Sequence, residues 1–288
     1  MKKSIAALIT ISCLLTACIQ EKPTERLNVL SFNIRLNLAS DGDNQWSNRK
    51  DYAIEMIRFY DADIFGAQEV LHDQLNDMLN GLPEFGYIGV GRDDGATKGE
   101  YIPILYRKDK FELLDGGNFW LAEDLNTPGV KGWDAAYVRV TSWGIFKSKT
   151  TGDEFFFMNT HLDNEGQIAR REGASLLLEQ ADKLAEGRPI IITGDFNATP
   201  DSEPIRVMTN TSDPRHMTDS RSVSQLRYGP EGSFHDFGRI PIEESELIDY
   251  IFIKGDIQVL RHGILSETKG NVYISDHCPV LATIELGK

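Results

Sequence analysis

Apolar and polar positions along this chain follow two rhythms, and the switches between them map its elements. From Leu27 onward, short runs rich in β-branched and aromatic residues alternate with stretches whose apolar residues recur every three or four positions. Residues 27–34 read as a first strand. Over 47–60, Tyr52, Ala53, Met56, Ile57 and Tyr60 fall at helical spacing, with Ser47 as a candidate cap. Residues 63–68 predict a second strand and 72–82 a short helix. Three more strands are expected at 86–90, 102–106 and 111–120. Residues 138–147 and 154–160 read as a strand pair around the turn 149–153. A helix over 167–185 carries Ile168, Leu176, Leu177, Leu178, Ala181 and Leu184. Strands at 189–193, 247–253, 257–264 and 280–286 close the pattern. Residues 199–238, rich in Ser, Pro, Asp and Gly, read as loops and short helices. No linker or internal repeat interrupts 27–288. Many strands with helices between them predict one layered α/β (α+β) domain with sheets in its core.

The first 26 residues stand outside this pattern. Lys2 and Lys3 precede an apolar run from Ile5 to Leu15, and Leu15-Thr16-Ala17-Cys18 follows. The run is short for a membrane span, which needs about 20 residues. Small residues before a cysteine resemble a bacterial lipoprotein signal: residues 1–17 removed, Cys18 lipidated, and 18–26 a polar tether to the domain. The expected location is the cell envelope, membrane-anchored through Cys18, with the outer membrane favoured. The alternatives are an ordinary secretory signal or a short anchor.

Charge and cysteine count then narrow the picture. The net charge is -14, and losing Lys2 and Lys3 takes it to about -16. Proteins that grip polyanions usually present Lys and Arg, so nucleic acid is a disfavoured partner, while carboxylate-built cation sites are favoured. Of three cysteines, Cys13 leaves with the signal and Cys18 carries lipid, so no disulfide is expected. Cys278 adjoins His277, but neighbours in a strand face opposite ways, so Cys278 reads as buried and apolar.

Candidate chemistry gathers where strands end. Asn33 closes the first strand, and Gln68-Glu69 the second; Glu69 offers a carboxylate to a hard cation such as Mg²⁺. Asn159-Thr160-His161-Leu162-Asp163 sets a histidine after an apolar strand, with Arg170 on the next helix as a candidate phosphate contact. In Gly194-Asp195-Phe196-Asn197, Asp195 and Asn197 are two apart and face one side of extended chain. Asp249 lies inside the apolar run 247–252, where a carboxylate needs a partner. His277, in Ser275-Asp276-His277, is the natural one. Taken singly, each segment has a bland alternative: a solvated strand end, a structural histidine, a turn, a surface ion pair.

Together, these segments resemble the endonuclease/exonuclease/phosphatase superfamily, over Leu27 to the C-terminus. The resemblance implies a four-layer α-β-β-α sandwich, two mixed sheets packed face to face with helices outside. It implies P–O bond cleavage with Mg²⁺ or Mn²⁺. Glu69 would be the main metal ligand, with Asn33 and Asp276 near the metal. Asp195 would activate water, Asn197 hold a phosphoryl oxygen, and His161 sit on the phosphate. His277, oriented by Asp249, would contact phosphate or act as base, so either it or Asp195 is the base. Some family nucleases carry an acid where Arg35 stands, which argues against a two-metal nuclease. Trp133, in Gly132-Trp133-Asp134-Ala135-Ala136, and Phe234 and His235, in Ser233-Phe234-His235-Asp236-Phe237, are candidate pocket residues.

The expected function is a metal-dependent phosphodiesterase or phosphatase acting on a small or lipid-linked phosphate ester, as a monomer. The alternatives are a secreted nuclease and a catalytically inactive binding protein. Leaving-group recognition lives in loops, which the recurring motifs do not reach.

Overall fold

The computed structural model describes residues 24–287. The expected signal, Cys18 and most of the tether lie outside them. Among the described residues, no helix is long and apolar enough to cross a membrane.

The chain begins with β1 (Glu25–Asn33), α1 (Trp46–Phe59), β2 (Ile64–Gln68), α2 (His72–Gly81), β3 (Phe85–Ile88) and β4 (Ile104–Arg107). It continues through β5 (Phe111–Trp120), β6 (Val140–Ser148), β7 (Glu154–His161), α3 (Gln167–Ala185) and β8 (Ile190–Asp195). Next come α4 (Glu203–Thr209), β9 (Thr218–Asp219), α5 (Ser220–Val223), β10 (Leu226–Tyr228) and β11 (Asp249–Lys254). The last strands are β12 (Ile257–Ile264), β13 (Thr268–Lys269), β14 (Val272–Tyr273) and β15 (Val280–Leu286).

Two mixed sheets result, ordered β10-β12-β15-β1-β2-β4-β3 and β5-β6-β7-β8-β11-β9. Alternation along β1 shows how they stack. Leu27 and Val29 join one core, shared with Phe155, Phe157 and Ile192 of the second sheet. Leu30 and Phe32 turn the other way, onto Trp46, Ala53 and Ile57 of α1 and Leu75 and Met78 of α2. On the far side, Ala174, Leu177, Leu178 and Ala181 of α3 cover the second sheet. The order helix, sheet, sheet, helix is the expected sandwich.

Several element bounds shift by one or two residues from the sequence reading, and three differences have a clear physical cause. β1 starts at Glu25 because Glu25 and Arg26 pair with Leu286 and Glu285, and Arg26 forms an ion pair with Glu285. Ser47 lies inside α1, whose cap position is Gln45. The loop-rich stretch also supplies β9 and β10, short edge strands whose pairing rests on long-range neighbours rather than on local pattern. Cys278 is buried in the core, and burial pushes its thiol up to about 12, as suits an inert apolar role.

Parallel pairing positions the site. β1 pairs parallel with β2, and β7 with β8, each pair bridged by a helix. All four carboxyl ends therefore reach one edge of the sandwich. β15 and β11 run antiparallel to β1 and β8, so their amino ends reach the same edge, with Asp249 opposite Asp195. Beneath it, Gly66 lets the sheets approach closely: an added Cβ would stand 2.1 Å from Thr193 Oγ1 and 2.2 Å from Asn159 Oδ1. Asn159 spans the gap there. Its Nδ2 donates to Ala67 O (2.8 Å) and Pro103 O (3.0 Å), and its Oδ1 accepts from Gln68 Nε2 (2.7 Å) and Thr193 Oγ1 (3.0 Å).

Candidate active site

The shared edge opens into a cavity of about 460 Å³. The first sheet brings Asn33, Glu69, Asp276 and His277; the second brings His161, Asp195, Asn197 and Asp249. Left-handed backbone turns three of the strand exits: Arg35 (φ 58), Glu69 (φ 60) and Asn197 (φ 45). Such conformations cost a non-glycine residue about 1–2 kcal/mol. They persist here because each is tied down. Arg35 N donates to Asn33 Oδ1 (3.0 Å), Leu36 N to Glu69 Oε2 (3.2 Å) and Asn197 N to Asp195 Oδ1 (2.9 Å).

Asn33 Nδ2 sits at the centre. It donates to Glu69 Oε1 (3.0 Å) and Asp195 Oδ2 (2.9 Å), and lies 3.4 Å from His277 Nε2. His277 Nδ1 is 2.8 Å from Asp249 Oδ2. Ser233 locks that pair: its hydroxyl donates to the same carboxylate oxygen (2.6 Å), and its carbonyl accepts from Cys278 N (2.6 Å). His161 Nε2 lies 3.0 Å from Asn197 Nδ2 and 3.4 Å from Asp195 Oδ2, while its Nδ1 is buried with no hydrogen-bond partner among the described residues. Asp276 accepts from Ser275 Oγ (3.2 Å) and faces Arg35 Nη1 (3.5 Å).

Burial sets the titration of these groups, and charge redirects it. Burial pushes Asp195 up to about 7, and the Asp249 charge adds to it, against His277, Asn197 N–H and Asn33. For His277 burial pulls down, but Asp249, Asp195 and Asp276 together hold it well above its ordinary value. Burial, then the charges of Arg139, Arg92 and His277, keep His161 well below its ordinary value, a neutral ring.

Glu69, Asp195 and His277 bring ligand atoms within 4.8 Å of one another, the one such group among the described residues. The two carboxylates suit a Mg²⁺- or Mn²⁺-type cation, which takes oxygen ligands, while His277, held in its charged form by Asp249, stands beside that position as a hydrogen-bond donor. The lining supports that fit: Glu69, Glu100, Asp195, Asp236 and Asp276 outnumber Arg35, Arg92 and Arg139. Of the expected metal set, Glu69 is in the convergent group and Asn33 bonds to it. Asp276 instead turns toward Arg35, beside the group.

A model of the Endonuclease/Exonuclease/phosphatase family matches residues 30–277. The chain belongs to that family. It is similar to the crystal structure of an endonuclease/exonuclease/phosphatase from Bacteroides vulgatus: TM-score 0.88, 42% identity, 91% of this chain and 100% of that one. It is also similar to a mannosyl-6-phosphatase from Bacteroides thetaiotaomicron: TM-score 0.84, 39% identity, 90% and 99% covered. An uncharacterised protein of Acanthamoeba polyphaga mimivirus is 24% identical over 292 residues, 86% of this chain; the chain spans 42% of that relative.

Three candidate pocket residues do not line the cavity. Arg170 spends Nη1 on Asp163 O (3.0 Å) and borders a neighbouring hollow beside Asn197. Trp133 turns away in a left-handed kink (φ 50), its backbone N–H donating to Glu123. The next residue, Asp134, caps α3 through Ile168 N and Ala169 N. His235 accepts from Gly238 N at Nδ1 (3.0 Å) and packs on Tyr273, behind Asp276. Phe234 does line the cavity, its ring 4.9 Å from that of His277. Arg92, Glu100, Tyr137 and Asn164 complete the wall from loops that carry no strand-end signal. Ser233 was visible only as a neighbour of Phe234; its tie to Asp249 needs the tertiary fold.

Proposed function

We propose that this family member is a Mg²⁺-dependent phosphomonoesterase acting on a small sugar phosphate at the cell envelope. One observation carries the reading: Glu69, Asp195 and His277 converge at the floor of an open cavity of about 460 Å³. Glu69, oriented by Asn33 Nδ2 and with Asp276 nearby, would hold the ion, which when bound supplies charge neutralisation on the phosphoryl oxygens. Asp195, fixed by Asn197 N–H and Asn33 Nδ2, takes the proton of the attacking water. His277, kept charged by Asp249, faces the phosphoryl oxygens with Asn197 and His161. The new P–O bond forms to water as the ester P–O bond breaks, releasing inorganic phosphate and an alcohol. Arg35 lies beside Asp276, where its guanidinium neutralises a carboxylate, which supports a single metal. The sugar phosphate choice is supported by the similarity to the mannosyl-6-phosphatase and by a cavity sized for a small ester. The net charge of -14 speaks against a nuclease.

Phosphate or alcohol release from sugar phosphates, bis-p-nitrophenyl phosphate, sphingomyelin and DNA, each with Mg²⁺ or EDTA, tests the reading. Sugar phosphates are expected to dominate, with turnover abolished by EDTA. Dominant cleavage of DNA would establish a nuclease instead, and no EDTA-sensitive turnover of any substrate would favour a binding protein. The envelope location rests on the sequence Leu15-Thr16-Ala17-Cys18. Cys18→Ala is expected to move the protein from the membrane fraction to the soluble one; unchanged fractionation would remove the lipid anchor from the proposal.

A further inference from the structure

The phosphate-handling groups occupy the floor of the cavity and leave one wall without a role. Arg92, Glu100, Tyr137, Arg139 and Asn164 line that wall. Arg92 Nη1 pairs with Glu100 Oε2 at 2.8 Å, each side chain 12% exposed. Arg139 Nε faces Asp163 Oδ2 (3.4 Å), and its Nη2 donates to Asn164 Oδ1 (3.0 Å). The Tyr137 ring takes both guanidiniums, at 5.7 Å from Arg92 and 5.6 Å from Arg139.

These contacts fix the wall and leave its hydrogen-bonding capacity unspent. Arg92 Nε is buried with no hydrogen-bond partner among the described residues, Asp93 Oδ1 standing 3.9 Å away. Glu100 Oε1, Arg139 Nη1, Asn164 Nδ2 and the Tyr137 hydroxyl make no hydrogen bond among the described residues. Donors and acceptors therefore stand together in the lining of the cavity that also holds Glu69, Asp195 and His277.

Charge and polarity decide what this wall takes. Each guanidinium already has its carboxylate, Arg92 with Glu100 and Arg139 with Asp163. A second phosphate would meet Glu100 and find no uncompensated cation. An apolar group would seal unpaired polar atoms away from water, which is costly. Hydroxyl groups both donate and accept, so adjacent hydroxyls satisfy carboxylate, guanidinium and amide together. We infer that Arg92, Glu100, Tyr137, Arg139 and Asn164 form a polyol subsite that reads the hydroxyls of the leaving sugar. The inference rests on the phosphoesterase reading and assigns its leaving-group specificity to these residues.

The test compares kcat/KM for a hexose 6-phosphate and for n-hexyl phosphate, with Mg²⁺, in the full-length protein and two variants. The ratio of the two values is the readout, since it cancels losses common to both esters. Glu100→Ala is expected to lower the ratio about tenfold or more, one charged hydrogen-bond partner being lost. Tyr137→Phe, at a residue 46% exposed, keeps the ring and is expected to lower it about threefold even if the first variant folds poorly. Ratios within about twofold of the parent in both variants would overturn the inference. So would faster hydrolysis of a hexose bisphosphate than of the monophosphate. If the parent hydrolyses neither ester, the phosphoesterase reading falls, and calorimetric titration with the same two esters judges the subsite. Preference for the hexose phosphate, lost in Glu100→Ala, would support it; equal binding of both would overturn it.

Discussion

Glu69→Ala is expected to lower Mg²⁺-dependent hydrolysis on the order of 10³-fold while leaving the fold in place. The size of the loss follows from position. Glu69 is a half-buried acid at the point where Asp195 and His277 converge, and its two oxygens are already oriented by Asn33 Nδ2 and Leu36 N. Removing it leaves Asp195 as the one carboxylate in the convergent group, too little for a cation that takes oxygen ligands. Stability should change little. The strand ends beside it keep their other ties, and alanine at φ 60 bears the same backbone cost as glutamate. Initial rates across a Mg²⁺ titration, with circular dichroism as the folding control, measure it. Turnover within about tenfold of the parent at saturating Mg²⁺ would remove Glu69 from the metal site.

Arg49→Met is expected to be the most destabilising single change near the site, at about 3–5 kcal/mol. Arg49 is fully buried, beneath the cavity floor. Its guanidinium donates to the carbonyls of Ile34, Arg35 (2.7 Å), Ile274 (3.2 Å) and Asn44 (2.8 Å), and stands 5.1 Å from the Trp46 ring. Burial lowers its pKa to about 10, so it stays charged at neutral pH. The carbonyls it gathers belong to the turn after Asn33 and to the residue before Ser275-Asp276-His277. Methionine fills part of the volume and leaves four buried acceptors without that donor. Urea denaturation should show the loss of stability, and the surviving folded fraction should turn over more slowly as the two turns lose their common tie. A stability change under about 1 kcal/mol would mean that water or neighbouring groups replace the guanidinium.

The contrast between these two residues marks what the chain made legible. Glu69 stood out because an acid follows an apolar strand, and the same logic found Asp195, Asn197, His161 and the Asp249–His277 pair. Each sits where a strand of recognisable period stops, and the fold needs only the direction of pairing to bring those ends together. The helix over 167–185 was legible to the residue because nineteen residues of sustained period leave little room for error. Arg49 carried no such signal: a charged residue in an amphipathic helix ordinarily reads as its solvated face, and only the path of two distant loops buries it. The left-handed turns at Arg35 and Glu69 were equally hidden, since neither residue type favours that backbone. Trp133 and His235 show the reverse case. Both are large, polar-edged residues near motif positions, yet a kink and a backbone bond turn them aside, while Tyr137 and Phe234 supply the aromatic surface.

The close approach of the sheets at Gly66, pinned by Asn159, has a bearing on how function and folding are tied. Half of the site's polar groups ride on one sheet and half on the other. Strand residues are spaced by about 3.3 Å, so a slip of one step between sheets would part Glu69 from Asp195 while leaving every strand intact. The amide of Asn159 thus acts as a dowel that fixes the alignment of two plates, and turnover becomes a gauge of that alignment, readable at a precision that secondary-structure content alone would miss.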